Sequence, residues 1–330
     1  MKDDGSAVID SVNELPWDER PQYSIVSTMY RSREFLPDFL AQCQQALAML
    51  DCTNYEIVLV NDGSPDDSLA YALEQRETTA ELVVVDLSRN FGHLAAMQAG
   101  LQASRGQLVF LIDSDLEVSP LVLPAFHEKL KESRVDMVFG YQEARKGGWL
   151  EQWSGGLFYK GFNFLSDIKI PENIATERVM TRRFVQALLQ MGDRNLFLGG
   201  MLTWTGFEQI GIPLAKTLRK GPSTYTLARR LSLMVNAVSS FSSRPLLLLF
   251  NAGVGITLLS LTYLAYLLMR KLFFDDALLG FTSLMAFTAL SLGISTTGLG
   301  VIGVYLGKVF NQVQNRPNYI VRAIHRRAEP

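Results

Sequence analysis

Two carboxylates stand one residue apart at the end of an apolar run. Residues 107–112 read Gln-Leu-Val-Phe-Leu-Ile, and Asp113 and Asp115 follow directly. A short, apolar and partly β-branched run is typical of a strand that is buried on both faces. Ligands bind at the carboxyl ends of such strands, where two hard oxygen ligands suit Mg²⁺ or Mn²⁺ holding a diphosphate. An acidic surface loop could have the same sequence, so the interpretation depends on the surrounding elements.

Strand and helix patterns alternate along the chain up to and beyond this motif. Helical spacing at 35–50 and 94–103 separates apolar runs of strand length. This alternation predicts an α/β fold with a Rossmann-like, mostly parallel sheet and flanking helices. A further strand over 174–180 is expected to lie at an edge of the sheet. The other predicted strands are 23–29, 55–60, 81–87, 107–112, 135–141 and 207–214.

The composition excludes some classes of protein. The chain has 330 residues, 48% of them hydrophobic, and a formal net charge of −2. This near-neutral balance argues against a dedicated nucleic-acid binder, so no nucleic-acid partner is expected. The two cysteines, Cys43 and Cys52, have no metal-ligand partners nearby in sequence. Two such thiols indicate a reducing compartment and no disulfide framework.

Two long segments near the C-terminus carry no charge. They cover 246–269 and 277–307, and each exceeds the roughly 20 apolar residues that span a bilayer. Basic residues flank the pair on both outer sides, while the linker 270–276 has two basic and two acidic residues. The positive-inside rule then predicts a multi-pass protein of the inner (cytoplasmic) membrane, with both termini and the large domain in the cytoplasm. Glycines crowd the second segment, which favours helix packing and a homo-oligomer.

These observations divide the chain into five predicted regions. A poorly ordered lead-in precedes a catalytic domain, which an amphipathic helix on the membrane surface connects to a transmembrane hairpin and a basic cytoplasmic tail. An ordinary surface helix would explain the amphipathic stretch equally well. The predicted bounds are 1–21, 22–226, 227–245, 246–307 and 308–330.

The order and spacing of several motifs resemble one family. The chain is similar to the family-2 glycosyltransferases of GT-A fold that charge a polyprenyl phosphate. These are the dolichyl-phosphate mannose synthase-like and undecaprenyl-phosphate sugar transferases with a C-terminal transmembrane hairpin. The resemblance covers about 22–320. The matching stretches are 60–64 (Val-Asn-Asp-Gly-Ser), 89–92 (Arg-Asn-Phe-Gly), 113–116, 119–120, 197–200, 204–207, 223–225 and 241–246.

The resemblance implies roles for three aspartates. Asp62 would hold the nucleotide base or ribose of the donor. Asp113 and Asp115 would bind Mg²⁺ or Mn²⁺ and the diphosphate of a nucleotide-sugar, with Asp115 as the more direct ligand and a catalytic residue. A cation there would neutralise the charge that grows on the leaving nucleoside diphosphate.

Basic residues before the hairpin are candidates for binding phosphate. An acceptor phosphate is already an anion, so it needs positioning more than deprotonation. Each candidate could equally be solvated surface charge or an anchor to lipid headgroups. The candidates are Arg219, Lys220, Arg229 and Arg230.

The chain departs from the family pattern at three places. Residues 30–34 replace a Tyr-Asn-Glu-type segment. Gly199 replaces an arginine, and the loss of this guanidinium, which can clamp a phosphate or hydroxyl, hints at a different donor sugar. Thr176 stands where the family has an aspartate near the reacting centre. Glu177 could substitute as a catalytic residue, although adjacent strand positions point to opposite faces. Arg178 matches a family arginine and is expected to face the acceptor phosphate.

The sequence therefore predicts an inverting enzyme that moves one sugar from a nucleotide donor, expected to be UDP-linked, to undecaprenyl or dolichyl phosphate. Inversion follows from the resemblance and from the lack of a candidate covalent nucleophile. Two alternatives stay open. A processive polysaccharide synthase would have the same fold, but two spans are few for a translocating pore. A catalytically silent membrane scaffold that binds nucleotide-sugar would account for the changes at Thr176 and Gly199.

Overall fold

A computed structural model of the chain describes residues 16–142, 174–194, 196–214, 235, 238–240, 242–274 and 280–327. These residues form two compact units. The first unit contains the described residues before 215 together with 316–327, and the second contains those from 235 to 315.

The first unit is built on an eight-stranded sheet with helices packed on it. Strands β1–β5 and β7 run in one direction, and β6 and β8 run against them. The strand order is β7-β5-β6-β4-β1-β2-β3-β8. The bounds are β1 Tyr23–Met29, α1 Leu36–Ala48, β2 Tyr55–Asn61, α2 Ser68–Thr78, β3 Leu82–Leu87, α3 His93–Ala103, β4 Leu108–Leu111, α4 Leu123–Ser133, β5 Met137–Tyr141, β6 Ile174–Thr181, α5 Arg182–Gln190, α6 Leu198–Trp204, β7 Gln209–Pro213 and β8 Val321–His325.

Both faces of the central strands are buried, as the apolar runs predict. One face carries a core that includes Ile25, Ile57 and Phe110. On the other face α3 approaches closely, because a Cβ added to Gly100 would lie 2.5 Å from Val26 and 2.9 Å from Val60. The predicted α/β fold with a mostly parallel sheet is confirmed.

The position predicted for the strand at 174–180 is wrong. β6 is an inner strand, paired antiparallel with both β4 and β5. Glu177 and Arg178 on this strand are only 1% and 3% exposed, as expected for an inner position. β6 therefore carries two charged side chains into the interior of the sheet.

The region predicted as a basic tail, 308–330, is largely ordered structure. Its first residues extend the preceding helix to Gln314, and Val321–His325 form β8 on the free edge of β3. Two of its basic side chains contact buried acids: Arg322 lies 3.2 Å from Asp86 and Arg326 lies 3.2 Å from Glu56. Those partners come from distant strands, which is why a sequence pattern shows only a run of charge.

The second unit contains two long apolar helices, α7 Arg244–Phe274 and α8 Phe281–Gln314. Within them, Arg244–Tyr263 and Leu290–Gln314 are long and apolar enough to cross a membrane, and neither window is buried. The two apolar helices of the predicted hairpin are therefore confirmed. The lead-in up to residue 15 and most of the predicted amphipathic helix lie outside the described residues.

Candidate functional site

The predicted carboxylates follow β4 at the carboxyl edge of the sheet. The turn that carries them is tied to β1, because Ser114 Oγ lies 2.8 Å from the carbonyl oxygen of Thr28. Asp115 is exposed, and its Oδ1 accepts a hydrogen bond of 3.0 Å from the backbone N–H of Glu117. Leu116 has a left-handed φ of 57° and reverses the chain there. The motif is thus a fixed turn that directs one acid to solvent.

His93, the first residue of α3, contacts Asp113. Its Nε2 lies 3.2 Å from Asp113 Oδ1, and its Nδ1 lies 3.0 Å from Thr28 Oγ1. Burial lowers the pKa of His93, but the hydrogen bond to Asp113 and the charges of Asp62 and Asp115 outweigh it and raise the pKa above its usual value. His93, which directly follows the loop from 89 to 92, was not singled out from the sequence. The one signal for it was its place directly after a matching family motif.

Asp62 is buried and anchors that same loop. Its two carboxylate oxygens accept hydrogen bonds from the backbone N–H groups of Phe91 at 2.7 Å and Gly92 at 3.0 Å. Burial raises the pKa of Asp62, while these two hydrogen bonds lower it by less. Its own carbonyl accepts a 3.0 Å bond from Asn90 Nδ2. Asp62 therefore fixes the loop from 89 to 92, and its contact with a nucleotide stays a prediction.

Arg178 and Glu177 point to opposite faces of β6. Arg178 pairs with Leu111, the last residue of β4, whereas Glu177 shares the face of Val179. Arg178 donates to two carbonyls of its own strand, from Nε to Thr176 and from Nη2 to Ala175, both at 2.7 Å. Its buried Nη1 makes no hydrogen bond to a described residue.

The charge of Arg178 belongs electrostatically to the site. Burial lowers its pKa to about 10, and the carboxylates of Glu177 and Asp113 act in the opposite direction. A guanidinium with that pKa stays protonated at neutral pH. The carboxyl edge therefore holds a buried positive charge near the predicted metal ligand.

The donor set fits a divalent cation shared with a substrate. Among the described residues no group of three or more His, Cys, Asp or Glu side chains could hold a metal ion alone. Mg²⁺ in nucleotide enzymes is commonly bound through one or two carboxylates, with phosphate oxygens as further ligands. Asp113 and Asp115 supply two hard oxygen ligands of this kind at the sheet edge.

Several predicted residues are not brought to this site by the described structure. Arg219, Lys220, Arg229 and Arg230 lie outside the described residues. Gly199, the position of the missing family arginine, lies in α6, where its carbonyl accepts a 3.0 Å bond from Thr203 Oγ1.

The sequence comparisons agree on one family. The model of glycosyl transferase family 2 matches residues 24–189. A protein of Mycobacterium tuberculosis named "Putative glycosyltransferases" is 37% identical over 92% of this chain and 88% of its own length. The SfII prophage-derived bactoprenol glucosyl transferase of Shigella flexneri is 32% identical over 92% of this chain and 98% of its own. A solved mannosyltransferase from Pyrobaculum calidifontis, in complex with GDP-Man and Mn²⁺, is 16% identical over 93% of each chain, with a TM-score of 0.45.

Proposed function

Because the chain belongs to glycosyl transferase family 2, we propose that it moves a single sugar from a nucleotide-sugar, expected to be UDP-linked, to a polyprenyl phosphate. Undecaprenyl and dolichyl phosphate are the candidate acceptors. One relative, 32% identical over most of both chains, is named a bactoprenol glucosyl transferase, which supports this acceptor class. The reaction proceeds with inversion, by direct displacement at the anomeric carbon.

One observation carries the proposal: a carboxylate pair lies at the carboxyl edge of a family-2 sheet in a chain that continues into two membrane-length helices. The pair suits a soluble, charged donor. The helices suit an acceptor that never leaves the bilayer.

Asp113 and Asp115 would hold the cation, Mg²⁺ or Mn²⁺, and through it the donor diphosphate. When bound, the cation supplies charge stabilisation to the departing nucleoside diphosphate. His93 orients Asp113 through the 3.2 Å contact. Asp62 keeps the neighbouring loop ordered through its two backbone hydrogen bonds and so shapes the wall of the donor site.

Arg178 is the described residue best suited to hold the acceptor phosphate. A phosphate oxyanion can attack without losing a proton, so the protein must orient it and offset its charge rather than deprotonate it. Arg178 offers a buried positive charge and an Nη1 without a described hydrogen-bond partner. Glu177, predicted as a catalytic substitute, lies on the other face of β6, and this proposal gives it no proton-transfer step.

Membrane association is indicated by the two exposed apolar helices and by the relatives named as bactoprenol transferases. The proposed topology has both termini and the catalytic unit on the cytoplasmic side, where nucleotide-sugars are made. The five regions predicted from the sequence, the last of which contains β8, form part of this proposal. So does association between glycine-rich α8 helices as a homo-oligomer.

A transfer assay in detergent tests the proposal. Purified protein is incubated with Mg²⁺ or Mn²⁺, undecaprenyl phosphate and a panel of UDP- and GDP-sugars, and the lipid is analysed by mass spectrometry. We expect one sugar added from one donor, lost on addition of EDTA. NMR of the product formed from an α-linked donor should show a β-linkage.

Three results would contradict it. Products longer than one sugar would indicate a processive synthase. Metal-dependent donor binding without turnover across the panel would indicate a silent scaffold. A retained anomeric configuration would remove the direct-displacement mechanism. A matched incubation with the acceptor omitted controls for donor hydrolysis.

A further inference from the structure

β8 reaches the sheet only after the two apolar helices have passed. It pairs antiparallel with β3, from Val84 opposite His325 to Leu87 opposite Val321. Just before it, Asn318 Nδ2 lies 2.8 Å from Gln98 Oε1 on α3. The segment from 316 to 327 is therefore bound along one side of the first unit, next to the strand that leads into the donor-site loop.

Arg322 makes the contact of interest. Its Nη1 lies 3.2 Å from Asp86 Oδ2, and its Nη2 donates a 2.6 Å hydrogen bond to the carbonyl of Ser88. The N–H of Ser88 donates in turn to the carbonyl of Ile320 at 2.9 Å. Both backbone groups of Ser88, which directly precedes the loop from 89 to 92, are thus held by the segment that follows the hairpin.

The network continues from Asp86 into the family motif. Asp86 Oδ1 accepts a 2.7 Å hydrogen bond from Asn61 Nδ2, and Asn61 Oδ1 accepts 3.0 Å from the N–H of Ser64. Asn61 immediately precedes Asp62, whose carboxylate holds Phe91 and Gly92 by their N–H groups. The guanidinium therefore contacts Ser88, the residue before the loop, and is linked to Phe91 and Gly92 through Asp86, Asn61 and the turn at Asp62.

We propose that Arg322 is a positioning residue for the donor site, through which the segment after the membrane hairpin orders the loop that leads to His93 and Asp113. The role in donor binding rests on the proposed function; the ordering of the loop does not. The side chain of Asp86 is only 6% exposed, so its carboxylate needs partners, and Arg322 is one of them. Without the guanidinium, the buried charge would draw Asn61 or water into new positions, and the Ser88 carbonyl would lose its donor.

A purely structural role is the competing explanation, since any strand that covers an edge stabilises the sheet. Arg326 provides a matched control on the same segment. Its Nη2 donates a 2.8 Å hydrogen bond to the carbonyl of Ala103 and lies 3.2 Å from Glu56, a buried acid at the amino end of β2, away from the donor-site loop. Both arginines thus join the segment from 316 to 327 to a buried acid and a carbonyl, and of the two Arg322 is the one that contacts Ser88, directly before the donor-site loop.

The experiment compares Arg322→Met with Arg326→Met in the full-length protein in detergent. Hydrogen–deuterium exchange of peptides covering 88–93 is measured first, and it requires no substrate. We expect about tenfold faster exchange there in Arg322→Met, the scale of one lost charged hydrogen bond, and no change in Arg326→Met. In the transfer assay, Arg322→Met should raise the donor KM about tenfold and leave the lipid KM unchanged.

Arg322→Lys covers the case in which the methionine variant does not fold. Lysine keeps the charge but cannot reach Asp86 and the Ser88 carbonyl with one planar fork, so an intermediate exchange rate is expected. Unchanged exchange at 88–93, or an equal rise in both methionine variants, would overturn the proposal. An unchanged donor KM with disordered loop would overturn the role in binding. If the wild-type protein transfers no sugar, the proposed function fails, and the exchange data alone decide the ordering role.

Discussion

Two buried arginines, four residues apart in sequence, lie at opposite ends of the parallel strands of one sheet. Arg178 lies at the carboxyl edge and Arg182, the first residue of α5, at the amino edge, and both are 3% exposed. Burial lowers the pKa of each to about 10. Arg182 donates to groups from a distant part of the chain, with 2.8 Å to the Gly106 carbonyl and 3.2 Å to Ser104 Oγ. Among the described residues, Arg178 donates to two carbonyls of its own strand, and its Nη1 makes no hydrogen bond.

The two ends of the sheet differ in how buried charge is compensated. At the amino edge, Glu56 accepts 2.6 Å from Ser24 Oγ, and the Gly106 N–H donates 2.7 Å to the same hydroxyl. Charge there is compensated by hydrogen-bonding groups of the protein itself. At the carboxyl edge the desolvation of Arg178 is only partly offset, which is expected where a charged ligand completes the set of hydrogen bonds.

The largest effect is expected from removing one carboxylate of the site. Asp115→Asn should lower the transfer rate about 100-fold or more, the scale on which one lost electrostatic partner affects a transition state. Asp115 is exposed, so the melting temperature should stay nearly constant. Glu132→Gln, which changes an exposed acid at the end of α4, controls for a lost surface charge. Full activity of Asp115→Asn would remove this residue from the site.

Exchanging each arginine for lysine tests the comparison directly. Arg178→Lys should lower transfer about 100-fold, because lysine cannot donate as a planar fork to both a carbonyl and a phosphate. Arg182→Lys should instead cost about 2–3 kcal/mol of unfolding free energy, with a nearly unchanged rate. Steady-state kinetics and thermal melts of both variants check this. Equal losses of activity and stability in both variants would contradict the assignment of different roles to Arg178 and Arg182.

A pair of glycines offers a second test with backbone geometry. A Cβ on Gly63, which has a φ of +61°, would lie 2.5 Å from the Asn90 nitrogen in the donor-site loop. A Cβ on Gly106 would lie 2.5 Å from the Ser24 nitrogen at the amino edge. Gly63→Ala should therefore displace the loop and raise the donor KM about tenfold. Gly106→Ala should lower the melting temperature with the donor KM unchanged. Identical kinetic effects would contradict the division between the edges.

Replacing Asp66 is expected to have the smallest effect. This acid at the carboxyl edge accepts hydrogen bonds from neighbouring residues of the protein itself. Its carboxylate accepts 2.6 Å from Ser68 Oγ and 3.2 Å from the Arg33 N–H, and it also contacts Ser64 Oγ. Burial raises its pKa, but these hydrogen bonds outweigh burial and lower it from 3.8 to about 2.

The sign of the pH dependence follows. A depressed pKa in the folded state means stability that is present above the unfolded pKa and lost as pH falls towards about 2. Asp66→Asn should therefore cost about 1–2 kcal/mol above pH ~4, and this cost should fall to a small fraction near pH ~2, where the folded-state carboxyl is half protonated. Thermal melts across this range measure it, with Asp67→Asn, an exposed neighbour, as background. A difference that does not change with pH would show that the hydrogen bonds do not depend on the charge.

Local sequence patterns predicted much of the fold. β1 was predicted at 23–29 and is observed at Tyr23–Met29, since a run of β-branched and aromatic residues between turns leaves little ambiguity. The turn from Asp113 to Asp115 was found for a similar reason: carboxylates at the end of an apolar strand conflict with packing and so indicate a site.

Long-range contacts account for what was missed. The edge position predicted for β6 is wrong because its pairing with both β4 and β5 depends on long-range contacts that sequence periodicity does not display. β8 was missed because its pairing with β3 joins residues more than 200 positions apart. His93 was missed for the same reason, since its contact with Asp113 exists only once α3 has packed against the sheet. Periodicity reports the burial of an element but not the identity of its neighbour.

The late arrival of β8 also imposes an order on biosynthesis. β3 ends at Leu87 and β8 begins at Val321, so both apolar helices are translated between the two halves of this strand pair. At a synthesis rate of roughly 5–20 residues per second, the β3 edge stays open for about 10–50 s. An open edge offers unpaired N–H and C=O groups to any neighbouring nascent chain. Completion of the globular unit therefore waits for the ribosome to finish the hairpin, and chaperone protection would be needed most during that interval.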